Sequence, residues 1–297
     1  MPYGKVTRRD WLGGATASGL AGLASPALAG READRQAALD GFALNTECWW
    51  TDLPFEERFE RAARLGFTRV EYWSVKPPGR DAAKLARLCR DLGLTVAQVS
   101  ASPQRIADPA TPLATFLDEM KRSLDQGKAA GAPMMTVVGA EVIPGLSVAD
   151  LLARYRDRLA AAVPLAQAAG ITMMIEPWNP YNHPGCFLYG SQDAVRLCRE
   201  VGSPALKINW DLFHMQRAEG NLVDAFRRGK DQAVYLQIAD SPDRHQPGTG
   251  EVRWDWVLRE IRRAGFTGLT GLELWPTKGD EARVADELIA LASAIRA

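Results

Sequence analysis

The sequence predicts an α/β chain folded as a single-domain (β/α)8 TIM barrel, and three observations support this prediction. Apolar strand-like segments alternate with amphipathic helix-like segments through most of the 297 residues, which is typical of parallel βαβ units. These segments form eight strand–helix pairs, which suits a barrel of about 250 residues. No GxGxxG or GxxxxGK(S/T) motif follows an early strand, as it usually would in an open, doubly wound sheet.

The first four pairs have clear boundaries. Residues 41–45, 68–73, 94–99 and 134–138 are apolar runs of strand length. The helices that follow them are amphipathic, and each ends at a glycine, which readily adopts the left-handed conformation after a helix. These helices are predicted at residues 54–65, 81–92, 112–130 and 148–169, and the glycines are Gly66, Gly93, Gly131 and Gly170.

The last four pairs follow the same pattern, with longer polar loops after strands five to seven. The predicted strands are residues 171–175, 205–210, 233–238 and 269–274. The predicted helices are residues 192–201, 222–228, 254–264 and 280–295. No linker divides these units, so the barrel domain is expected to span residues 30–297.

Four polar residues stand at or just beyond the ends of strands five to eight: Glu176, Asp211, Gln237 and Glu273. Parallel strands of a closed barrel place their carboxyl ends at one rim, where active sites of this fold lie. Carboxylate and amide oxygens suit Mg²⁺ or Mn²⁺ better than a thiolate-preferring metal. Any one of these residues taken alone is more simply a surface, capping or core group. Their recurrence in four consecutive units favours a site for one divalent cation.

Histidines and tryptophans also fall near this rim. The three histidines of the chain follow strands five, six and seven: His183, His214 and His245. Five tryptophans lie close to strand ends, where they suit either the core or an aromatic wall: Trp49, Trp50, Trp73, Trp178 and Trp275. The pattern favours a pocket for a small polar molecule.

Composition excludes several other classes of protein. The 36 acidic and 36 basic side chains balance, whereas a nucleic-acid-binding protein usually has a basic excess. The cysteines Cys48, Cys89, Cys186 and Cys198 form no CxxC pair, which argues against a zinc knuckle or a redox dithiol and leaves a disulfide open. Beyond the N-terminus, no apolar run reaches the length of a transmembrane helix. The oligomeric state stays open.

The N-terminus resembles a twin-arginine (Tat) export signal. Arg8 and Arg9 precede a weakly apolar stretch, and Ala27-Leu28-Ala29 offers a small-residue cleavage site. We therefore expect residues 1–29 to be a removed signal peptide and the mature protein to be periplasmic. An ordinary flexible N-terminus or a lipid-free membrane anchor is the simpler alternative.

Longer motifs carry a family resemblance. The segments Asp211-Leu-Phe-His-Met-Gln-Arg-Ala-Glu-Gly-Asn-Leu222 and Arg244-His-Gln-Pro-Gly-Thr-Gly-Glu251 resemble those of hydroxypyruvate isomerases. These are xylose isomerase-like TIM barrels, with ketose epimerases as relatives. Segments 52–59, 66–71 and 184–188 resemble the family too, so the resemblance covers essentially the whole barrel domain.

The resemblance implies a metal-dependent aldose–ketose type isomerase. Glu176, Asp211, Gln237 and Glu273 would hold Mg²⁺ or Mn²⁺, and Glu176 and Glu273 would also relay the proton through a cis-enediolate. The substrate-binding residues would be His214, Arg217, His245 and Trp275. Trp275 stands where typical members are expected to have a polar residue, so the substrate is a hydroxy-carbonyl compound or a sugar that the resemblance does not specify.

Two other classes remain open on sequence alone. One is an epimerase, lyase or hydrolase on the same barrel; the related endonucleases use several histidines around multiple metals, and three histidines are too few for that. The other is a non-catalytic sugar-binding barrel, against which the presence of both Glu176 and Glu273 argues.

Overall fold

Eight parallel strands close into a barrel in the computed structural model, which describes residues 26–74, 80–277 and 279–296. Each strand pairs with the next along the chain, and Phe42 of β1 pairs with Thr270 of β8 to close the sheet. The strands are β1 Phe42–Asn45, β2 Arg69–Tyr72, β3 Thr95–Ser100, β4 Met134–Val137, β5 Thr172–Ile175, β6 Leu206–Asp211, β7 Ala233–Gln237 and β8 Thr270–Leu272. The predicted single-domain (β/α)8 barrel is confirmed.

Helices surround the barrel and pack their apolar faces on the strands. They are α1 Pro26–Leu39, α2 Phe55–Arg64, α3 Ala82–Asp91, α4 Leu113–Ala130, α5 Val148–Ala169, α6 Ser191–Val201, α7 Leu212–Ala218, α8 Leu222–Gly229, α9 Trp254–Arg263 and α10 Glu281–Arg296. Gly131 and Gly170 end α4 and α5 with φ angles of 75° and 70°, as the sequence predicted for helix-ending glycines.

Two helices were absent from the prediction. Helix α7 begins directly after β6, with no loop between them, because Asp211 ends the strand and its Oδ1 accepts the N–H of Phe213 at 2.8 Å. Helix α1 crosses the predicted cleavage position after Ala29. Its Arg35 donates to the Leu65 carbonyl at 2.6 Å and pairs with Asp286 of α10. Residues 1–25 of the predicted signal peptide lie outside the described residues.

The barrel interior contains one apolar layer. Ala43, Ala97, Met174 and Tyr235 form a buried cluster, one residue from each of β1, β3, β5 and β7. Four side chains from alternate strands are the repeating layer of a closed eight-stranded barrel. This layer fills the barrel and leaves the carboxyl ends of the strands for the polar residues.

The interior also holds a polar group, Glu71 of β2, which is fully buried. Gly271 of β8 makes room for it, because a Cβ built on this glycine would lie 2.6 Å from Oε1 of Glu71. Position 271 therefore requires glycine, because the Glu71 carboxylate lies so close that any side chain here would collide with it.

Replacing Gly271 by alanine tests this packing. We expect Gly271→Ala to lower the free energy of unfolding by about 1–3 kcal/mol, the usual cost of overpacking a buried site. Thermal or chemical denaturation measures the loss. Gly41→Ala is a matched control, because the backbone of Gly41 has no positive φ and its Cβ position meets only Nη2 of Arg262, at an ordinary contact distance of 3.6 Å. Equal losses in the two variants would contradict the close-approach argument.

Two further predictions concern the whole chain. The sequence left open whether any cysteines form a disulfide. All four cysteines are buried free thiols, so the described residues contain no disulfide. In the part of the chain that the structure describes, no helix has the length and apolarity to cross a bilayer.

Candidate active site

The four predicted metal ligands converge at the carboxyl ends of the last four strands. Asp211 and Gln237 are the final residues of β6 and β7, whereas Glu176 and Glu273 each follow their strand by one residue. All four are at least nine-tenths buried. The structure therefore brings together the residues that the sequence singled out.

A buried arginine that the sequence reading did not single out lies among these carboxylates. Nη2 of Arg244 lies 2.7 Å from Oδ2 of Asp211 and 2.8 Å from Oε1 of Glu273. Its Nε donates to the Glu273 carbonyl at 3.1 Å, and its guanidinium packs on the ring of Phe213 at 4.7 Å. Burial opposes its charge, but the carboxylates of Asp211 and Glu273 raise the pKa of Arg244, so it stays protonated.

The loop after β7 holds Arg244 in place through Asp240. Oδ2 of Asp240 accepts the N–H of Gly248 at 2.8 Å, and Oδ1 accepts that of Val252 at 3.2 Å. Gly250 packs against the same loop so closely that a Cβ would lie 1.9 Å from the Ser241 carbonyl oxygen. The Pro-Gly-Thr-Gly-Glu motif thus fixes the loop that carries Arg244.

Gln237 makes hydrogen bonds with both ends of its amide. Oε1 accepts from Nδ2 of Asn209 at 2.6 Å, and Nε2 donates to Oε2 of Glu273 at 2.6 Å and to Oε1 of Glu71 at 3.0 Å. The oxygen that would bind a metal is therefore already an acceptor, and a carbonyl oxygen has a second lone pair. Its role as a ligand stays a prediction.

Glu71 lies beneath the site and accepts hydrogen bonds from four neighbouring side chains. It was not among the residues predicted from the sequence. Its carboxylate accepts hydrogen bonds at 2.8–3.1 Å from the side chains of Asn45, Gln98, Tyr235 and Gln237. Burial raises the pKa of Glu71, and these hydrogen bonds lower it in part. A charged residue inside the otherwise apolar Val-Glu-Tyr stretch of β2 was the signal that could have identified it.

His214 on α7 borders the same carboxylates. Its Nε2 lies 3.6 Å from both Oε1 of Glu176 and Oδ2 of Asp211, and its Nδ1 lies 2.7 Å from Nδ2 of Asn179. Burial, followed by the charge of Arg244, lowers the pKa of His214 well below its usual value. The lowered pKa favours a neutral ring beside these carboxylates.

Aromatic side chains surround the mouth of the site. The indole of Trp178 stacks on His183 with ring centroids 3.8 Å apart, and its N–H partly offsets the rise in the pKa of Glu176. The indole of Trp73, which is 40% exposed, partly offsets the rise in the pKa of Glu273. Trp49 is fully buried, so it belongs to the core rather than to the wall.

The remaining predicted substrate contacts lie at the edge of the site. Arg217 donates to the Pro242 carbonyl at 2.9 Å, and its guanidinium lies 5.6 Å from the ring of Phe213, which Arg244 also contacts. Nδ1 of His245 lies 2.6 Å from the carbonyl of Trp275, and the half-buried Trp275 ring lies 5.7 Å from Arg244. His245 therefore contacts the backbone of the loop after β8.

The carboxyl groups resist ionisation in this environment. Burial and the nearby charges of Glu273 and Asp211 raise the pKa of Glu176 well above its usual value. Burial also raises the pKa of Glu273 to about 7, although Arg244 opposes the shift. The pKa of Asp211 is raised by burial and lowered in part by Arg244. Carboxyl groups with raised pKa values can exchange protons near neutral pH.

The donor set fits a divalent cation. Among the described residues, the buried carboxyl groups of Glu176, Asp211 and Glu273 lie near a single buried guanidinium, that of Arg244. If ionised, they carry more negative charge than Arg244 offsets, and a hard dication would neutralise the excess. Ligand atoms of Glu176, Asp211 and His214 lie within 4.8 Å of one another, which is close enough to share an ion.

Metal affinity should depend on pH. Glu273, with a pKa of about 7, holds a proton below neutrality that a bound cation must displace. We expect the affinity for Mn²⁺ to fall as the pH is lowered from about 8 to about 6, by up to about tenfold per unit for each proton displaced. Isothermal titration calorimetry measures this dependence. Glu273→Gln should show a shallower slope, and identical slopes in the two proteins would contradict the assignment.

Comparison with known proteins identifies the family. The family model described as "Xylose isomerase-like TIM barrel" matches residues 59–294. The chain belongs to the xylose isomerase-like TIM barrel family. The predicted resemblance to this family is therefore confirmed.

The relatives of this chain include proteins named as isomerases. A 2-oxo-tetronate isomerase of Cupriavidus necator is 31% identical, and the match covers 81% of this chain and 95% of the relative. A hydroxypyruvate isomerase of Escherichia coli K12 is 29% identical over the same shares. Because these relatives are isomerases, the predicted enzyme class, an isomerase, is confirmed.

A solved structure within the same family has a similar fold. It is described as an AP endonuclease, family 2, from Brucella melitensis, and is 27% identical with a TM-score of 0.75. The match covers 82% of this chain and 95% of that chain. The likeness therefore extends over nearly the whole barrel.

Proposed function

We propose that the protein is a divalent-metal-dependent isomerase that moves a proton between neighbouring carbons of a hydroxy-carbonyl substrate. The observation that carries this proposal is the pair of buried glutamates, Glu176 and Glu273, which flank Asp211 and Gln237 at the rim. Burial raises the pKa of both glutamates, that of Glu273 to about 7, and a carboxyl group with a raised pKa suits proton transfer. The curated isomerase relatives support the same reaction class.

Glu176, Asp211, Gln237 and Glu273 would hold Mg²⁺ or Mn²⁺. When bound, the cation supplies charge that stabilises the oxyanion formed when a proton leaves the carbon next to a carbonyl. Glu176 or Glu273 accepts that proton, and the other glutamate or the same one returns it to the neighbouring carbon. Arg244 holds Asp211 and Glu273 in fixed positions through its two contacts of 2.7 and 2.8 Å.

Arg217 is the proposed contact for an anionic end of the substrate. Its guanidinium borders the site by packing on the same Phe213 ring as Arg244, and its buried Nε has no hydrogen-bond partner. A guanidinium binds a carboxylate through two parallel hydrogen bonds. The relatives named for hydroxypyruvate and 2-oxo-tetronate act on compounds that carry a carboxylate.

A second candidate is the epimerisation of a keto-sugar. The aromatic side chains at the mouth, Trp73, Trp178 and Trp275, are the kind of surface on which a sugar ring packs. The two glutamates would then exchange the proton on one carbon from opposite sides, without moving the carbonyl.

Proton exchange separates these reactions. The full-length protein is loaded with Mn²⁺ and incubated in D₂O with hydroxypyruvate, 2-oxo-tetronate and a set of ketoses; the metal is then removed and the products are examined by NMR. An isomerase forms an aldehyde or ketone isomer and incorporates deuterium next to the carbonyl. An epimerase incorporates deuterium with inversion and no change of carbonyl position. If no substrate acquires deuterium, the proposed function is wrong.

We also propose that the protein is exported through the Tat pathway. The twin arginines Arg8 and Arg9 and the Ala27-Leu28-Ala29 segment support this proposal. Cleavage after Ala29 would make Gly30 the first residue. N-terminal sequencing of the protein from the periplasm of its host should find Gly30, with an Arg8→Lys, Arg9→Lys double variant retained in the cytoplasm. Recovery of an intact Met1 would contradict the proposal.

A further inference from the structure

An ion pair at the carboxyl rim of the barrel joins the loop after β1 to the residue that precedes α3 by two positions. Nη2 of Arg80 lies 2.9 Å from Oε2 of Glu47, and Nη1 of Arg80 contacts Oε1 of the same carboxylate. Two parallel contacts of this kind hold a carboxylate more firmly than a single one. Only 9% of the Glu47 side chain and 16% of the Arg80 side chain are exposed, so water screens this pair less than a surface ion pair.

Two further contacts restrict the Arg80 guanidinium. Its Cζ lies 3.6 Å from the centroid of the Phe55 ring at the start of α2, a distance at which a cation packs on an aromatic face. Its Nη1 also donates to the carbonyl oxygen of Ser74 at 2.9 Å. Because the guanidinium is restricted, the carboxylate of Glu47 that it binds is restricted as well.

The same carboxylate holds the backbone of Trp73. Strand β1 ends in a turn at Asn45, whose carbonyl oxygen accepts the N–H of Cys48 at 3.2 Å. The N–H of Trp73 donates to Oε1 of Glu47 at 3.2 Å, and the carbonyl oxygen of Trp73 accepts the N–H of Ser100 at 2.9 Å. The Glu47 side chain therefore extends the hydrogen bonding of β2 by one residue, at a point where the backbone of β1 has turned away.

The backbone of Glu47 is connected to Glu273 through Asn45. Oδ1 of Asn45 accepts the N–H of Glu47 at 2.9 Å, and Nδ2 of Asn45 lies 3.5 Å from Oε2 of Glu273. The Trp73 indole acts on the same carboxyl group, because it partly offsets the rise in the pKa of Glu273. Glu47 therefore relates the position of Trp73 to that of Glu273.

The Trp73 ring depends on its backbone for its position. A ring that is 40% exposed is packed on only part of its surface, so its neighbours alone confine it less than they confine a buried ring. The contacts of Trp73 with Glu47 and Ser100 fix the backbone from which the ring projects.

We propose that Glu47 and Arg80 are a positioning pair that holds the Trp73 indole at the mouth of the site as a preformed wall for the substrate. A preformed wall binds a substrate without the entropic cost of ordering a mobile side chain. The pair acts on substrate binding and not on proton transfer. This role in binding rests on the proposed function, whereas the placement of the ring by the pair does not.

Fluorine NMR tests the placement without any substrate. The full-length protein is labelled with fluorotryptophan, and Trp73→Phe and Trp256→Phe variants assign two of its nine tryptophans. Glu47→Gln and Arg80→Met should each shift and broaden the Trp73 signal and increase its attenuation by a soluble gadolinium chelate. The signal of Trp256, which is exposed on α9, should not change.

Glu260→Gln is the matched control for the loss of the ion pair. Glu260 on α9 lies 2.7 Å from Arg227 on α8, and these partners are separated by 33 residues, as are Glu47 and Arg80. Because this pair joins two outer helices, its loss should leave the Trp73 signal unchanged.

Kinetics of the Mn²⁺-loaded protein test the role in binding. Glu47→Gln and Arg80→Met should each raise KM for hydroxypyruvate or 2-oxo-tetronate by about 2–10-fold, the cost of ordering one mobile side chain. The double variant should show no larger rise than either single variant, because the two residues act as one unit. The value of kcat should stay close to that of the wild type.

Different results would overturn the two parts of the inference. An unchanged Trp73 signal in the folded Arg80→Met variant, or an equal change in Glu260→Gln, would contradict the placement. If Arg80→Met does not fold, Arg80→Lys decides, since it keeps the charge and loses one of the two parallel contacts. A lower kcat at an unchanged KM would contradict the role in binding. The spectra involve no turnover, so a protein that fails the isomerase assay would still show whether the pair holds Trp73.

Discussion

Replacing either buried glutamate by glutamine is expected to abolish most of the turnover. Glu176→Gln and Glu273→Gln should each lower kcat by about 10²–10⁴-fold, because an amide cannot accept the substrate proton. Both variants should still bind Mn²⁺, although more weakly, since the amide oxygen can replace one carboxylate oxygen. Turnover and deuterium incorporation next to the carbonyl are measured at saturating metal, and bound metal is determined separately.

Glu57→Gln is the control for this pair of variants. It makes the same chemical change at an exposed position on α2, so kcat and deuterium incorporation should match the wild type. If Glu273→Gln retained near-normal isomerisation with deuterium incorporation, the relay between two glutamates would be untenable, and a different base or a hydride shift would have to replace it.

Removing the buried guanidinium should have the largest effect on stability. Arg244→Met leaves Asp211 and Glu273 buried without their counter-charge, and breaking a buried ion pair in this way costs about 3–5 kcal/mol. Chemical denaturation in the presence of EDTA measures the loss. Added Mn²⁺ should recover part of the stability, because the cation can neutralise the same carboxylates.

Arg253→Met provides the comparison for this variant. Arg253 precedes α9, its side chain is largely exposed, and it pairs with Asp255, so its loss should change the free energy of unfolding by less than about 0.5 kcal/mol. If Arg244→Met were as stable as Arg253→Met without metal, the carboxylates would not depend on the guanidinium.

The barrel could be predicted from the sequence because its signals are local. Each strand is a short apolar run, and a helix or glycine follows at a regular distance, so periodicity determines both the type and the order of the elements. Helix α7 escaped prediction because Asp211 serves as both the end of β6 and the cap of the helix. Without a loop, the sequence gives no break between the two elements.

The site could be predicted in part for the same reason. Glu176, Asp211, Gln237 and Glu273 lie within one residue of their strand ends, and the strand pattern alone places them at one rim. Arg244 and Glu71 depend instead on contacts between distant segments. Arg244 meets Glu273 across 29 residues, and Glu71 meets Tyr235 across 164. Periodicity carries no information about such pairs.

The hydrogen bonds around Glu71 have a consequence for how this enzyme can change. They join β1, β2, β3 and β7 beneath the rim, and Gln237 extends them to Glu273. A mutation among these residues would disturb the carboxylates of the proposed proton relay, whereas Trp73 and Trp275 lie in loops at the mouth of the site. Laboratory evolution towards new substrates should therefore accumulate changes in the tryptophan-bearing loops, and lineages that lose Glu71 should disappear early from the selection.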